Sequence, residues 1–262
     1  MNHLPTAFFC KTGDNQYQPT EATIGPWSAK LQHGGPPSAL LAHALRVYPS
    51  PNNLLVSRIT IEILAPVPLT ECEIIVEPVR GGRRIELLKA QYISEGKVYL
   101  IAHAWRLEAL PGISEAIHEP FTLPDLPDPQ PLSWYAGIDY FPYLHALEWR
   151  YSSGSFDQLG PATVWARPRI LLIEGHEING FESLILLIDS ANGISAELEF
   201  QKWSFVPVDM TVGLYRQPAG PWFGMSARTV IENNGIGQTT TTAFDQSGSV
   251  GHSMHTLFVR PR

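Results

Sequence analysis

Cysteine is nearly absent: Cys10 and Cys72 are the only two in 262 residues, with no CxxC pair and no histidine/cysteine cluster at metal-ligand spacing. That excludes a disulfide-built scaffold and the usual zinc arrangements, and it fits a reducing compartment. Charge is also sparse, at 16% of residues, and the 18 basic residues are outnumbered by 25 acidic ones, for a net charge of -7. Without a broad cationic field the chain is not expected to bind nucleic acid or an anionic membrane, and any phosphate site must be local. No apolar run approaches transmembrane length, and Met1-Asn2-His3-Leu4-Pro5 lacks the basic and apolar regions of a signal peptide, so the expected location is cytoplasmic.

What is present is 44% hydrophobic residues, enough for well-packed cores. Prolines suited to a first turn open a helix over Pro36–Val47, which closes before Pro49 and Pro51; its thin polar stripe marks it as buried. Strands are predicted at 54–64, 71–79, 85–94 and 98–107, separated by the turn residues Gly81-Gly82 and Glu95-Gly96. Prolines then recur at 111, 120, 124, 127, 129 and 131, where fixed φ and missing donors resist both helix and sheet. The division is an N-terminal unit over 1–108, a proline-rich linker over 109–145 and a C-terminal unit over 146–262.

The second unit repeats the order of the first: a strand near 162–170, an almost wholly apolar helix at 181–191, then strands near 200–215, 222–231, 238–244 and 250–259. Three landmarks superpose the halves at an offset of 151 to 153: Thr60 on Thr211, Gly82 on Gly235, and His103 on His255. These landmarks favour an internal duplication over two unrelated α+β domains, although the spacing from helix to strand differs between the halves. A helix wrapped by a meander, doubled in one chain, is an α+β double hotdog, two antiparallel-sheet units each around a central helix and joined edge to edge.

Several residues could carry chemistry. His33-Gly34-Gly35 precedes the first helix, where free N–H groups and the positive dipole end can stabilise an oxyanion; the same glycines would also make a tight turn, and the residues alone leave both readings open. Asp209 begins a strand after Trp203, Phe205, Val206 and Val208, so it is placed either as a general base against apolar walls or as an ordinary strand-start residue. His255 alternates with Leu257 and Val259 and should point inward. Arg80, Arg83 and Arg84 form the visible cationic cluster, either a phosphate site or a solvated hairpin tip.

Residues 27–45 with His33-Gly34-Gly35, then Glu148-Trp149-Arg150, Asp189-Ser190-Ala191-Asn192-Gly193-Ile194-Ser195, Asp209-Met210-Thr211-Val212 and the closing 248–262 together resemble the acyl-CoA thioesterase II family and its thioesterase-like relatives. The resemblance implies hydrolysis of acyl-CoA to free acid and CoA, as in fatty acid metabolism, with no cofactor or metal. It implies that Asp209 activates water, that Thr229 and His255 position it, and that His33, Gly34 and Gly35 bind the substrate and its oxyanion. The family has glutamine where this chain has His255. That departure leaves a hydratase or dehydratase acting on acyl thioesters, or a non-catalytic acyl-thioester binding protein, as alternatives. Acyl chain length and homo-oligomerisation are not decided by any residue.

Overall fold

The computed structural model describes residues 4–50, 52–131, 133 and 141–262. Pro51, Met1 to His3 and residues 132 and 134–140 of the linker lie outside the described residues. The first half runs β1 (Ala7–Lys11), β2 (Gln16–Pro19), α1 (Gly35–Val47), β3 (Leu54–Ile63), β4 (Cys72–Arg80), β5 (Ile85–Ser94) and β6 (Lys97–Glu108). The second runs α2 (Pro142–His145), β7 (Leu147–Ser153), β8 (Ala162–Pro168), β9 (Leu171–Ile173), α3 (Gly180–Ile188), α4 (Ala191–Ile194), β10 (Trp203–Leu214), β11 (Phe223–Ile231), β12 (Ile236–Asp245) and β13 (Gly248–Pro261).

The strands form one 13-stranded sheet in the order β7-β8-β11-β12-β13-β10-β3-β6-β5-β4-β2-β1-β9. Read outward from the β10/β3 seam, the two sides have the same plan. The β10-β13-β12-β11 side mirrors β3-β6-β5-β4, and each is continued by the hairpin that opens its half. At the seam the antiparallel register sets Thr211 opposite Thr60, with the hydroxyls 3.1 Å apart. The two threonines that superpose in sequence thus meet across the pseudo-twofold axis. β9 leaves this symmetry, crossing back to pair in parallel with β1 at the first half's edge.

Alternation decides which sheet face is dry. On β5 and β6, Leu88, Ala90, Tyr92, Ala102 and Ala104 are fully buried, and the alanines leave room for α1, which packs on β3 to β6. Helix α3 lies against β8 and β11, α4 against β11 and β12, and α1 and α3 pack on each other. The predicted single helix over 181–191 is in fact two, because the chain turns at Asp189 and Ser190. Four strands escaped prediction: β1, β2, β7 and β9. In β1, Phe8 and Phe9 are both fully buried, so no two-residue period marks it.

The superposition of His103 on His255 fails by one residue. His103 lies opposite Thr60, whereas the residue opposite Thr211 is Met254. A one-residue slip reverses the face, so His103 sits on the outer face of the sheet while His255 is wholly buried on the inner one. The arginine cluster is likewise remote. Arg80, Arg83 and Arg84 flank the β4/β5 turn beside the beginning of β3, and Arg84 pairs with Glu108. The ten residues of β3 separate them from its far end, about 30 Å at ~3.3 Å per residue.

Candidate active site

A cavity of about 490 Å³ opens at that far end of β3, where the halves meet. Its walls come from the loop before α1 (Trp27, Leu31, Gln32, His33, Gly34), the segment after β3 (Leu64 to Val67), α2 and its flank (Phe141, Tyr143, Leu144), the α3/α4 turn (Asp189, Ser190, Asn192, Gly193) and the start of β10 (Val206, Pro207, Val208). Most of this lining is apolar. The charged exception is Asp189, the C-cap of α3, whose carboxylate oxygen Oδ2 lies 2.9 Å from Nδ1 of His33.

Both partners are held rigidly. The His33 N–H donates to the Thr23 carbonyl at 2.7 Å, and its ring stacks on Tyr143 with centroids 3.8 Å apart and planes within 8°. Tyr143 is itself pinned, its hydroxyl donating to the Leu186 carbonyl at 2.7 Å and lying 3.0 Å from Ser190 Oγ. The Gly35 N–H is 3.1 Å from the same Nδ1. One nitrogen cannot donate to Asp189 and accept from Gly35 together; the charge on Asp189 favours Nδ1–H donating, with the Gly35 N–H supporting the carboxylate. Burial pushes the Asp189 pKa up, but His33, His255 and the Gly35 N–H more than offset this and hold it below the usual carboxylate range. Asp189 is therefore ionised at neutral pH, and its Oδ1 is buried without a hydrogen-bond partner among the described residues.

The two glycines are set by close approach, Gly34 to Asp189 and Gly35 to α3 and Tyr143. A β-carbon on Gly34 would fall 2.8 Å from Asp189 Oδ1, and one on Gly35 would fall 2.5 Å from the Leu186 carbonyl oxygen. At the start of α1, Pro36 and Pro37 have no N–H and the Ser38 N–H is taken by the Gly34 carbonyl. With the Gly35 N–H engaged, the N–H of Gly34 is the donor at this helix end without a partner among the described residues.

Gly35 lies just behind the cavity wall, and the three remaining sequence candidates, Asp209, Thr229 and His255, do not line the cavity either. Asp209 follows a register shift in β10, so Met210 and Val212 are buried on the inner face while Asp209 lies half-buried on the outer one. It stands opposite Glu62 and accepts the Thr256 N–H at 2.8 Å. Thr229 is buried and committed: Ser195 Oγ donates to the Ala191 carbonyl, so the Thr229 hydroxyl, 2.8 Å away, donates to Ser195 and accepts from Thr239 at 2.7 Å. His255 lies on the inner face between Thr239 and Met210, fully buried, with both ring nitrogens unpartnered among the described residues. Burial drives its pKa down, and the fields of Asp189 and then Asp209 oppose that only in part. Asp189 stands in a family-like motif but carries no role in the sequence, because its partner His33 is 156 positions away.

His255 yields a pH prediction. Its folded pKa is depressed below the ordinary value near 6.5, so as pH falls through about 6.5 the unfolded chain takes up a proton that the folded chain refuses. Stability from neutral His255 is thus present above that pH and lost below it. Urea unfolding between pH 7 and 5 should show this loss, and His255→Gln should flatten it; an unchanged slope in the variant would show that His255 is not the group responsible.

Among the described residues no set of His, Cys, Asp and Glu side chains is placed to hold a metal ion, and no helix is long and apolar enough to cross a membrane.

Comparison with known proteins agrees with this two-part layout. The sequence model of the acyl-CoA thioesterase N-terminal domain matches residues 23–107, and that of the C-terminal domain matches residues 120–259. The chain belongs to the acyl-CoA thioesterase family. Among solved structures it resembles a conserved hot dog fold protein of Alicyclobacillus acidocaldarius, at 17% identity and a TM-score of 0.75 over 95% of each chain. It also resembles the TesB protein of Mycobacterium avium subspecies paratuberculosis, at 15% identity and 0.68 over 98% of this chain and 97% of that one. The acyl-CoA thioesterase II TesB2 of Mycobacterium marinum matches at 16% and 0.64, over 92% and 96%. At these identities the structures show the hot dog fold alone. No curated protein matches the sequence.

Proposed function

We propose that the chain is a double hotdog, each half wrapped around its own helix, that hydrolyses an acyl-CoA thioester in the cavity between the halves. The observation that carries this reading is the buried Asp189 carboxylate. His33 fixes one of its oxygens, the other is unpartnered among the described residues, and the Gly34 N–H stands alongside in the same cavity wall. Asp189 therefore takes the role of base that the sequence reading assigns to Asp209, whose carboxylate is tethered to Thr256 on the other face of the sheet.

In this reading a water molecule hydrogen-bonds to Asp189 Oδ1 and to a ring nitrogen of His255, the two unpartnered groups that act on each other electrostatically. Asp189 removes a proton as the water oxygen attacks the thioester carbonyl carbon. The N–H of Gly34, at the positive end of α1, stabilises the oxyanion of the tetrahedral intermediate. Collapse breaks the C–S bond, and the proton held by Asp189 passes to the departing thiolate. His33 positions Asp189, and Thr229 holds α4 to the sheet through Ser195. The apolar walls formed by Phe141, Leu144 and Phe156 suit an acyl chain.

Saturated acyl-CoA and enoyl-CoA supplied separately test the reaction class. Free thiol released from the saturated substrates is the expected result. Conversion of enoyl-CoA without thiol release would indicate a hydratase, and binding without turnover would indicate a carrier.

A further inference from the structure

The rim of the cavity carries a feature that hydrolysis itself does not use. Trp27 lines the cavity yet remains 42% exposed, so its indole spans the rim from the apolar interior to solvent. The Arg262 guanidinium carbon lies 5.7 Å from the centre of the Trp27 ring, held there as Nε donates to the Trp203 carbonyl at 3.2 Å. Two residues earlier on β13, Arg260 stacks over Phe258 at 4.0 Å and donates from Nη1 to the Val259 carbonyl at 2.6 Å and the Gly235 carbonyl at 3.3 Å; its backbone stands opposite Ser204 of β10, the strand whose Val206 and Val208 form the cavity edge. Lys30 follows Trp27 by three residues in the same exposed loop.

Among the described residues none of Lys30, Arg260 and Arg262 has a carboxylate at ion-pairing distance. In a chain of net charge -7, Arg262 over the exposed indole, with Lys30 three residues along the loop and Arg260 two residues back on β13, forms a local exception. The other arginine cluster, at the β4/β5 turn, is at the opposite end of the first half. We infer that Trp27, Arg260 and Arg262, with Lys30, seat the nucleotide end of the substrate's carrier, a phosphorylated adenosine diphosphate: the indole stacks on the base and the guanidiniums hold the phosphates. Arginine suits phosphate because its planar fork donates two hydrogen bonds at once, and base stacking on an aromatic tolerates exposure. This deepens the thioesterase reading and rests on it for the carrier's identity. It also separates two sources of acyl thioester, since a carrier protein's pantetheine arm has no nucleotide to place here.

The test compares an acyl-CoA with the same acyl group on pantetheine, and adds direct binding of free CoA and free pantetheine by calorimetry. Two variants are used, Trp27→Ala and the double replacement Arg260→Ala with Arg262→Ala. In the double variant, KM for acyl-CoA and Kd for CoA should each rise about tenfold with kcat retained, while the pantetheine compounds are unaffected. Added salt should weaken binding of CoA to the wild type and much less so to the double variant. Equal effects on CoA and pantetheine compounds, or no effect on either, overturn the inference while thioester hydrolysis stands. Wild-type binding of CoA that is lost in the double variant, without turnover of any thioester, upholds the seat and defeats the hydrolase reading. Wild-type protein that neither binds CoA nor turns over a thioester defeats both.

Discussion

Asp189→Asn should lower kcat for acyl-CoA hydrolysis by about 10³-fold, within the range that loss of a positioned general base produces. The asparagine is nearly isosteric and can still hydrogen-bond His33, so the 2.9 Å contact is replaced rather than vacated. What disappears is the proton acceptor. Because the carboxylate is buried and held ionised chiefly by His33, that role cannot pass to solvent. KM should change little, since the amide does not alter the apolar walls, and steady-state kinetics with thiol detection separates the two constants. The circular dichroism spectrum should match the wild type. A variant with unaltered kcat would remove Asp189 from the chemistry.

Glu182→Ala should cost about 3 kcal/mol of stability, the low end of what breaking a buried ion pair costs, because Arg46 is 34% exposed. Glu182 is 1% exposed and joins the two helices. Its Oε1 lies 2.8 Å from Nδ1 of His43 and accepts from Arg46 Nε at 2.8 Å, both on α1. Its Oε2 accepts the Asn179 N–H at 2.9 Å, completing the capping box that starts α3. Burial raises its pKa, but His43, Asn179 and Arg46 together leave it lowered, so this stability is lost as pH falls through the folded value. Urea denaturation should show a lower midpoint at unchanged slope. Glu182→Gln, which can keep the cap, should lose less. Wild-type stability in the alanine variant would mean the helices are joined by apolar packing alone.

Much of this architecture was legible in the residues. Prolines before α1, glycine turns and two-residue alternation marked α1, β3 to β6 and β10 to β13, and the Thr60/Thr211 correspondence became the contact at the seam. His33-Gly34-Gly35 was singled out, and of these His33 and Gly34 line the cavity. What stayed hidden depends on parity and distance. The register shift before Asp209 turns that side chain to the outer face, and no propensity announces a bulge. One residue of slip separates His103 from the true counterpart of the β13 position. The His33–Asp189 pair exists only because α1 and α3 pack against each other, a tertiary fact that periodicity does not record. Tyr143, counted in the linker, became the plate on which His33 stacks.

The central claim is that thioester hydrolysis is carried by the Asp189 carboxylate in the cavity between the halves. The most direct measurement sets wild type, Asp189→Asn and Asp209→Asn side by side, following thiol release from one saturated acyl-CoA at neutral pH. The account predicts turnover by the wild type, a fall of about 10³-fold for Asp189→Asn and a rate within about threefold of wild type for Asp209→Asn. Full activity in Asp189→Asn with activity lost in Asp209→Asn would contradict it.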